Sequence, residues 1–253
     1  MIKYGLKIWS NNTHLFDEAV ERYKKGYFDF AEVYSNSEFE HDYDALNKLK
    51  ELSVQGVHVG HLDKAGFHNF FLTEEQKKPW NMTIELSNFF DAPRIIVHPA
   101  VEHNWESFQE NLAKIDDPRI LIESMPIVSP FDSKLRKFGG SLDDLRKIYK
   151  QKPICLDISK FIKACVYYKL DYKNSIEEAL KDLQPEYFHI SGCSIDNPID
   201  EHGNLYEANF DVSWVYKILE KYAKDKDIFL VFETPKVGMD LENDIKNMDF
   251  FRK

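Results

Sequence analysis

Six short apolar runs in this chain each stop on a residue that can hold a metal ion or carry a proton. They are residues 54–58 (VQGVH), 94–98 (RIIVH), 119–123 (RILIE), 153–157 (PICLD), 186–189 (EYFH) and 228–233 (IFLVFE). An ionisable side chain at the end of a buried strand is costly unless it is paired. When strand after strand ends this way, the ends converge on a site. Glu123, Asp157, His189 and Glu233 form its inner set. Two Glu, one Asp and one His are hard-to-borderline donors that suit Zn²⁺, Mn²⁺ or Mg²⁺ and do not select copper or an iron–sulfur cluster. Any one of them reads equally well as a buried polar group satisfied by a neighbour. Jointly, four ionisable groups would repel or stay undersatisfied without a cation. His58 and His98 extend the set to one side. His58 closes its run and is preferred to His61, which lies in the following loop. Asp200 and His202 sit in a polar stretch that alone reads as a solvated turn, and they gain weight from following the His189 strand.

Strand-like runs alternate with amphipathic stretches from end to end. The runs are 4–9, 28–34, 54–62, 94–98, 119–123, 153–157, 186–191 and 228–233. The stretches between and after them are 15–25, 43–52, 73–90, 105–115, 141–150, 175–183, 212–223 and 241–251. Apolar residues recur there at spacings of three and four, as in Leu142, Leu145, Ile148 and Tyr149. The strand-like runs are almost wholly apolar, as parallel strands buried on both faces should be. Eight such units in 253 residues are the arithmetic of a (β/α)8 TIM barrel, expected as a single domain over residues 1–253. A doubly wound open sheet is the main rival. Gly139-Gly140, after Pro126 and Pro130, reads as one long loop and not as a domain boundary. Barrel sites form at the C-terminal strand ends, where the six run-ending residues fall.

With 43% hydrophobic and 30% charged residues, the composition is that of a globular chain with one large core. No stretch approaches the ~20 apolar residues needed to span a bilayer. The N-terminus runs straight into a strand-like segment, so no signal peptide is expected. Three cysteines without a close pair fit a reducing cytoplasm, the expected location. The net charge of −10 leaves no basic footprint for non-specific nucleic-acid binding, although part of the acid could be metal ligands.

Three segments carry a family resemblance: CLDISK (155–160), His189 with DEHGN (200–204), and FETP (232–235). HPA (98–100) and Ile122-Glu123 match more weakly. In this order along the chain they resemble the endonuclease IV family, the second family of AP endonucleases. That family lies within the xylose-isomerase-like TIM-barrel superfamily, alongside metal-dependent sugar isomerases and epimerases. The resemblance implies a zinc cluster. His58, His98 and Glu123 would hold one ion, and Glu123, Asp157, His189 and Glu233 a second, with Glu123 bridging. Asp200 and His202 would hold a third, together with a histidine three residues after Asp157. This chain has Lys160 there, which removes a ligand and puts a cation where a third ion would sit. The loops that would insert into a DNA duplex also depart from the family. Residues 35–40 (SNSEFE) are acidic and 60–64 (GHLDK) weakly basic, and neither looks like a wedge.

Two mechanisms fit these residues. In the first, a zinc cluster activates water for phosphodiester hydrolysis, with Glu123 and Glu233 as the catalytic pair and abasic DNA or another phosphodiester as substrate. The extra ligands His58, His98, Asp200 and His202 lean the expectation this way. In the second, one Mn²⁺ or Mg²⁺ polarises a small sugar, and the two glutamates act as acid and base across an enediolate. The acidic charge and Lys160 favour that alternative. Lys160 and His61 are the candidate substrate contacts. Trp9, Phe67 and Phe131 are candidate walls for a sugar ring, or ordinary core. A barrel that binds metal and ligand without turnover is the remaining class.

Overall fold

Eight parallel strands hydrogen-bond into a ring. In the computed structural model, which describes residues 1–60, 62–63, 66–67, 77–99, 105–128 and 138–253, they are β1 (Ile2–Trp9), β2 (Phe30–Tyr34), β3 (Val54–His58), β6 (Ile95–Val97), β7 (Ile120–Glu123), β8 (Ile154–Asp157), β9 (Tyr187–Ile190) and β10 (Ile228–Phe232). A small antiparallel pair, β4 (Leu62–Asp63) and β5 (Gly66–Phe67), follows β3. The barrel order is β1-β10-β9-β8-β7-β6-β3-β2. Because β1 pairs with both β10 and β2, the sheet is closed, and the doubly wound alternative is excluded. The chain is a (β/α)8 TIM barrel in a single domain. Since every pairing in the ring is parallel, all eight C-terminal strand ends lie on one rim.

The helices are α1 (Phe16–Lys24), α2 (Tyr43–Leu46), α3 (Lys77–Phe89), α4 (Trp105–Ala113), α5 (Leu142–Tyr149), α6 (Ile158–Tyr168), α7 (Tyr172–Leu183), α8 (Val212–Tyr222) and α9 (Glu242–Phe251). Among the described residues, no helix is long and apolar enough to cross a membrane. One helix departs from the sequence expectation. The unit after β8 was expected to have its helix at 175–183, yet α6 starts directly after Asp157 with no loop. The Asp157 carboxylate is why it can: Oδ1 accepts the Lys160 backbone N–H at 2.9 Å and caps the helix. Elsewhere, the expected helix at 43–52 splits into α2 and a 3₁₀ turn (Asn47–Glu51), and the run at 54–62 ends as a barrel strand at His58.

Strand alternation divides the side chains into two sets. Outward residues such as Leu6, Val57, Ile122 and Leu230 join the large core between barrel and helices. Inward residues Phe30, Ile96, Cys155, Tyr187 and Val231 form a separate plug inside the barrel. Arg94 covers the lower end, its guanidinium 4.1 Å from the Phe229 ring centre. The plug depends on Gly56, where an added Cβ would stand 2.6 Å from the Tyr187 hydroxyl. Gly56→Ala should therefore overpack the plug and lower stability by roughly 1–3 kcal/mol in urea denaturation. An unchanged midpoint would show that the Tyr187 ring moves freely there.

Candidate active site

Above the plug, the next inward position of each barrel strand is polar. The ring is Lys7 (β1), Glu32 (β2), His58 (β3), His98 (just past β6), Glu123 (β7), Asp157 (β8), His189 (β9) and Glu233 (just past β10). None of the eight is more than 9% exposed. Six are the run-ending residues of the sequence. Lys7 and Glu32 were missed because each interrupts an apolar run (GLKIW, FAEVY) instead of ending it. A charge in the middle of a parallel strand was the available signal.

Glu123 lies at the centre of the ring. Its Oε2 is 2.9 Å from His58 Nε2 and 2.8 Å from His98 Nε2. Its Oε1 is 3.1 Å from His189 Nδ1 and pairs with the Lys160 ammonium. The His58 tautomer follows from its other nitrogen, Nδ1, which lies 2.9 Å from the Val59 carbonyl. A carbonyl only accepts, so Nδ1 carries the proton, and in neutral His58 a bare Nε2 faces a carboxylate oxygen. A proton or a cation must relieve that pair. Burial, followed by the Lys7 charge, pushes the His58 pKa down, and burial takes His98 to about 3, so extra protons are disfavoured there.

His189 is arranged in the same way. Its Nε2 donates to Glu32 Oε2 at 2.7 Å, and its Nδ1 faces Glu123 Oε1 and, at 3.0 Å, Glu233 Oε1. Glu32 thus stands behind His189 as carboxylates stand behind metal-bound imidazoles, fixing which nitrogen points into the site. Without a metal, His189 carries the proton itself. Burial opposes that, but Cys155, Glu32, Glu233 and Glu123 outweigh it and hold its pKa well above the usual histidine value.

His58, Glu123, His189 and Glu233 each offer one ligand atom, all within 4.8 Å of one another. Around Glu123 the imidazole nitrogens of His58 and His189 come within 2.9 and 3.1 Å of its two oxygens. The charge count agrees. Four buried carboxylates (Glu32, Glu123, Asp157, Glu233) face two ammonium groups (Lys7, Lys160), an excess of two negative charges. This donor set fits a divalent ion.

Asp157 stands apart from that group. Its Oδ1 caps α6 and its Oδ2 lies 3.3 Å from Lys160 Nζ. Burial pushes its carboxyl up to about 6 in spite of Lys160. Lys7 pairs with Glu233 and, at 3.0 Å, with Glu32. Burial would raise the Glu32 pKa, but His189 and Lys7 outweigh it and hold the carboxyl at about 2.

Asp200 and His202 come to the rim on a loop whose ends are tied. Gly192 and Gly203 exchange backbone hydrogen bonds at 2.8 Å, and a Cβ at Gly192 would sit 1.9 Å from the Asn204 carbonyl. Beneath the loop, the buried Lys163 ammonium donates to the Asn197 carbonyl and to Glu201 Oε2 at 2.7 Å. His202 Nδ1 then lies 3.6 Å from Glu233 Oε2, and its Nε2 3.8 Å from Asp200 Oδ2. The His202 side chain is 44% exposed, against 3% for Glu233. Asp200 and Glu233 raise its pKa above the usual histidine value. Of the remaining candidates, Trp9 is exposed and rests on Tyr34 at 5.0 Å between ring centres. His61, Phe131 and the Phe67 side chain lie outside the described residues.

No protein-family model matches the sequence, and no curated protein matches it. Solved structures do. Endonuclease IV from Thermus thermophilus superposes with a TM-score of 0.66 at 18% identity, covering 99% of this chain and 97% of that one. A putative xylose isomerase from Rhodospirillum rubrum reaches 0.70 at 10% identity, covering 100% and 98%. The 3-keto-D-glucoside 4-epimerase of E. coli reaches 0.66 at 12% identity, covering 100% and 99%. The chain shares its fold with these structures. At these identities the likeness extends to the fold alone.

The depressed Glu32 pKa makes a pH prediction. Its contribution is fully present above the usual carboxylate pKa near 4.5 and is lost as pH falls toward about 2. The melting-temperature gap between wild type and Glu32→Gln should therefore narrow as pH drops from about 5 toward 3. A constant gap would show that Glu32 is not held ionised by His189 and Lys7.

Proposed function

We propose that this chain is a divalent-metal-dependent enzyme that moves a proton on a small polyhydroxylated carbonyl compound, in the manner of a sugar isomerase or epimerase. The observation that carries this reading is the charge count of the ring. Its excess of two negative charges matches one divalent ion, with Lys7 and Lys160 already supplying the rest. His58, Glu123, His189 and Glu233 would hold that ion. When bound, it polarises a carbonyl and an adjacent hydroxyl.

The remaining steps fall to the side chains. Glu233 Oε2 is the base, because it faces the rim beside the exposed His202, with Lys160 at 3.5 Å and His202 at 3.6 Å. It takes the proton from the carbon next to the carbonyl. His202, exposed beside it and supported by Asp200, relays that proton to the neighbouring position or to solvent. The Lys160 ammonium, held protonated by Glu123, Glu233 and Asp157 against its burial, stabilises the oxyanion that develops. Glu123 has both oxygens engaged and serves as a ligand and not as the base.

A phosphodiester-hydrolase reading, with abasic DNA as substrate and two or three zinc ions, draws on one observation. Glu123 divides its oxygens between the His58/His98 side and the His189 side, as a bridging carboxylate would. Against it stand the net charge of −10 and the exposed Glu38 and Glu40 in the loop after β2, which repel a phosphate backbone.

The two readings separate in D₂O. With Mn²⁺ supplied, a panel of ketoses, aldoses and keto-glycosides should gain deuterium beside the carbonyl in the sugar that is turned over. Glu233→Gln should cut that exchange by at least ~10²-fold, and an abasic-site duplex should stay intact. Metal-dependent nicking of the duplex, lost in the same variant, would overturn the proposal in favour of the hydrolase.

A further inference from the structure

Lys160 sits where three carboxylates meet. Its ammonium pairs with Glu123 Oε1 and lies 3.3 Å from Asp157 Oδ2 and 3.5 Å from Glu233 Oε2. The side chain is 3% exposed. It stands on the His189 side of Glu123, away from the oxygen shared by His58 and His98. Its backbone is equally fixed, because its N–H is the donor that the Asp157 carboxylate caps. One short segment, Asp157 to Lys160, therefore ends a strand, starts a helix and delivers a cation to the strand's own terminal carboxylate.

Three converging carboxylates are an oxygen set that hard divalent ions take readily. Here a covalently tethered charge fills the position. We propose that Lys160 is a built-in cation that occupies the place of a second divalent ion and limits the centre to one. The inference rests on the single-ion reading above and deepens it. An ammonium group donates hydrogen bonds but cannot bind a water and lower its pKa as a metal does. The tether therefore trades water activation for a permanent positive charge beside Glu123 and Glu233. That suits stabilising an oxyanion on a carbonyl substrate and disfavours generating a hydroxide nucleophile. It also offsets part of the charge of the three carboxylates when no metal is bound.

The test is a metal count on the full chain. Wild type, Lys160→Ala, Lys160→Gln and Lys160→Arg are equilibrated with Mn²⁺ or Zn²⁺, freed of excess by gel filtration and measured by plasma mass spectrometry. Circular dichroism checks folding. Wild type and Lys160→Arg should hold one ion per chain. Lys160→Ala should hold two, because the vacated trio takes a second. Lys160→Gln removes the charge but keeps a polar side chain one atom shorter, and gives the same doubling should the alanine variant not fold. One ion in wild type and still one in both folded neutral variants overturns this inference and leaves the single-ion reading standing. Two or more ions in wild type overturn both, and so does none.

Discussion

Four carboxylates drawn into the mouth of a closed barrel have to be matched where they stand, because water cannot screen them there. Leaving one buried charge unpaired costs several kcal/mol. This constraint organises the upper half of the molecule. Lys7 lies between Glu32 and Glu233, Lys160 lies among Glu123, Asp157 and Glu233, and His189 spans Glu32 and the Glu123–Glu233 side. Two negative charges remain to be met by a divalent ion or by protons on groups such as His189 and Asp157. Metal and protons therefore compete for one ring. The ring is a single electrostatic unit, and a change at one member alters the protonation of the others.

The scaffold brings these charges together by simple means. Strand alternation in a closed parallel sheet aims one polar side chain per strand into the barrel above the plug that Phe30, Ile96, Cys155, Tyr187 and Val231 fill. The plug is a buried, largely apolar floor that raises the strength of the interactions above it. Two devices sit on the rim. The direct β8–α6 junction turns the Lys160 side chain back over the strand end it follows. The Gly192–Gly203 closure and the Lys163 anchor hold the loop carrying Asp200 and His202 against Glu233. Lys160 and Lys163 lie three residues apart on α6, so one helix supports both the ring and the loop beside it.

The barrel was legible in the sequence because parallel strands buried on both faces read as short apolar runs. A charge closing such a run stands out against them. His58, His98, Glu123, Asp157, His189 and Glu233 were all visible for that reason. Lys7 and Glu32 were not, since a reading keyed to the last residue of each run passes over a charge two positions earlier. Missing them mattered. The expectation that four ionisable groups need a cation takes no account of Lys7 and treats Lys160 as a departure at a third ion's position. With both lysines in the ring, two negative charges are left over, the charge of one divalent ion. The helix α6 was also hidden, because a cap supplied by the strand's own final residue leaves no loop to mark the boundary. The pairing of His202 with Glu233 is tertiary and has no signature along the chain.

The central claim is that this ring holds one divalent ion, with lysine ammonium groups supplying the remaining positive charge. Anomalous diffraction from crystals grown with Mn²⁺ or Zn²⁺ tests it most directly, because it locates each ion. The account predicts one peak, bounded by His58, Glu123, His189 and Glu233, with the Lys160 ammonium still among Glu123, Asp157 and Glu233. A second peak at the Lys160 position with that side chain displaced, or a third beside Asp200 and His202, would contradict it.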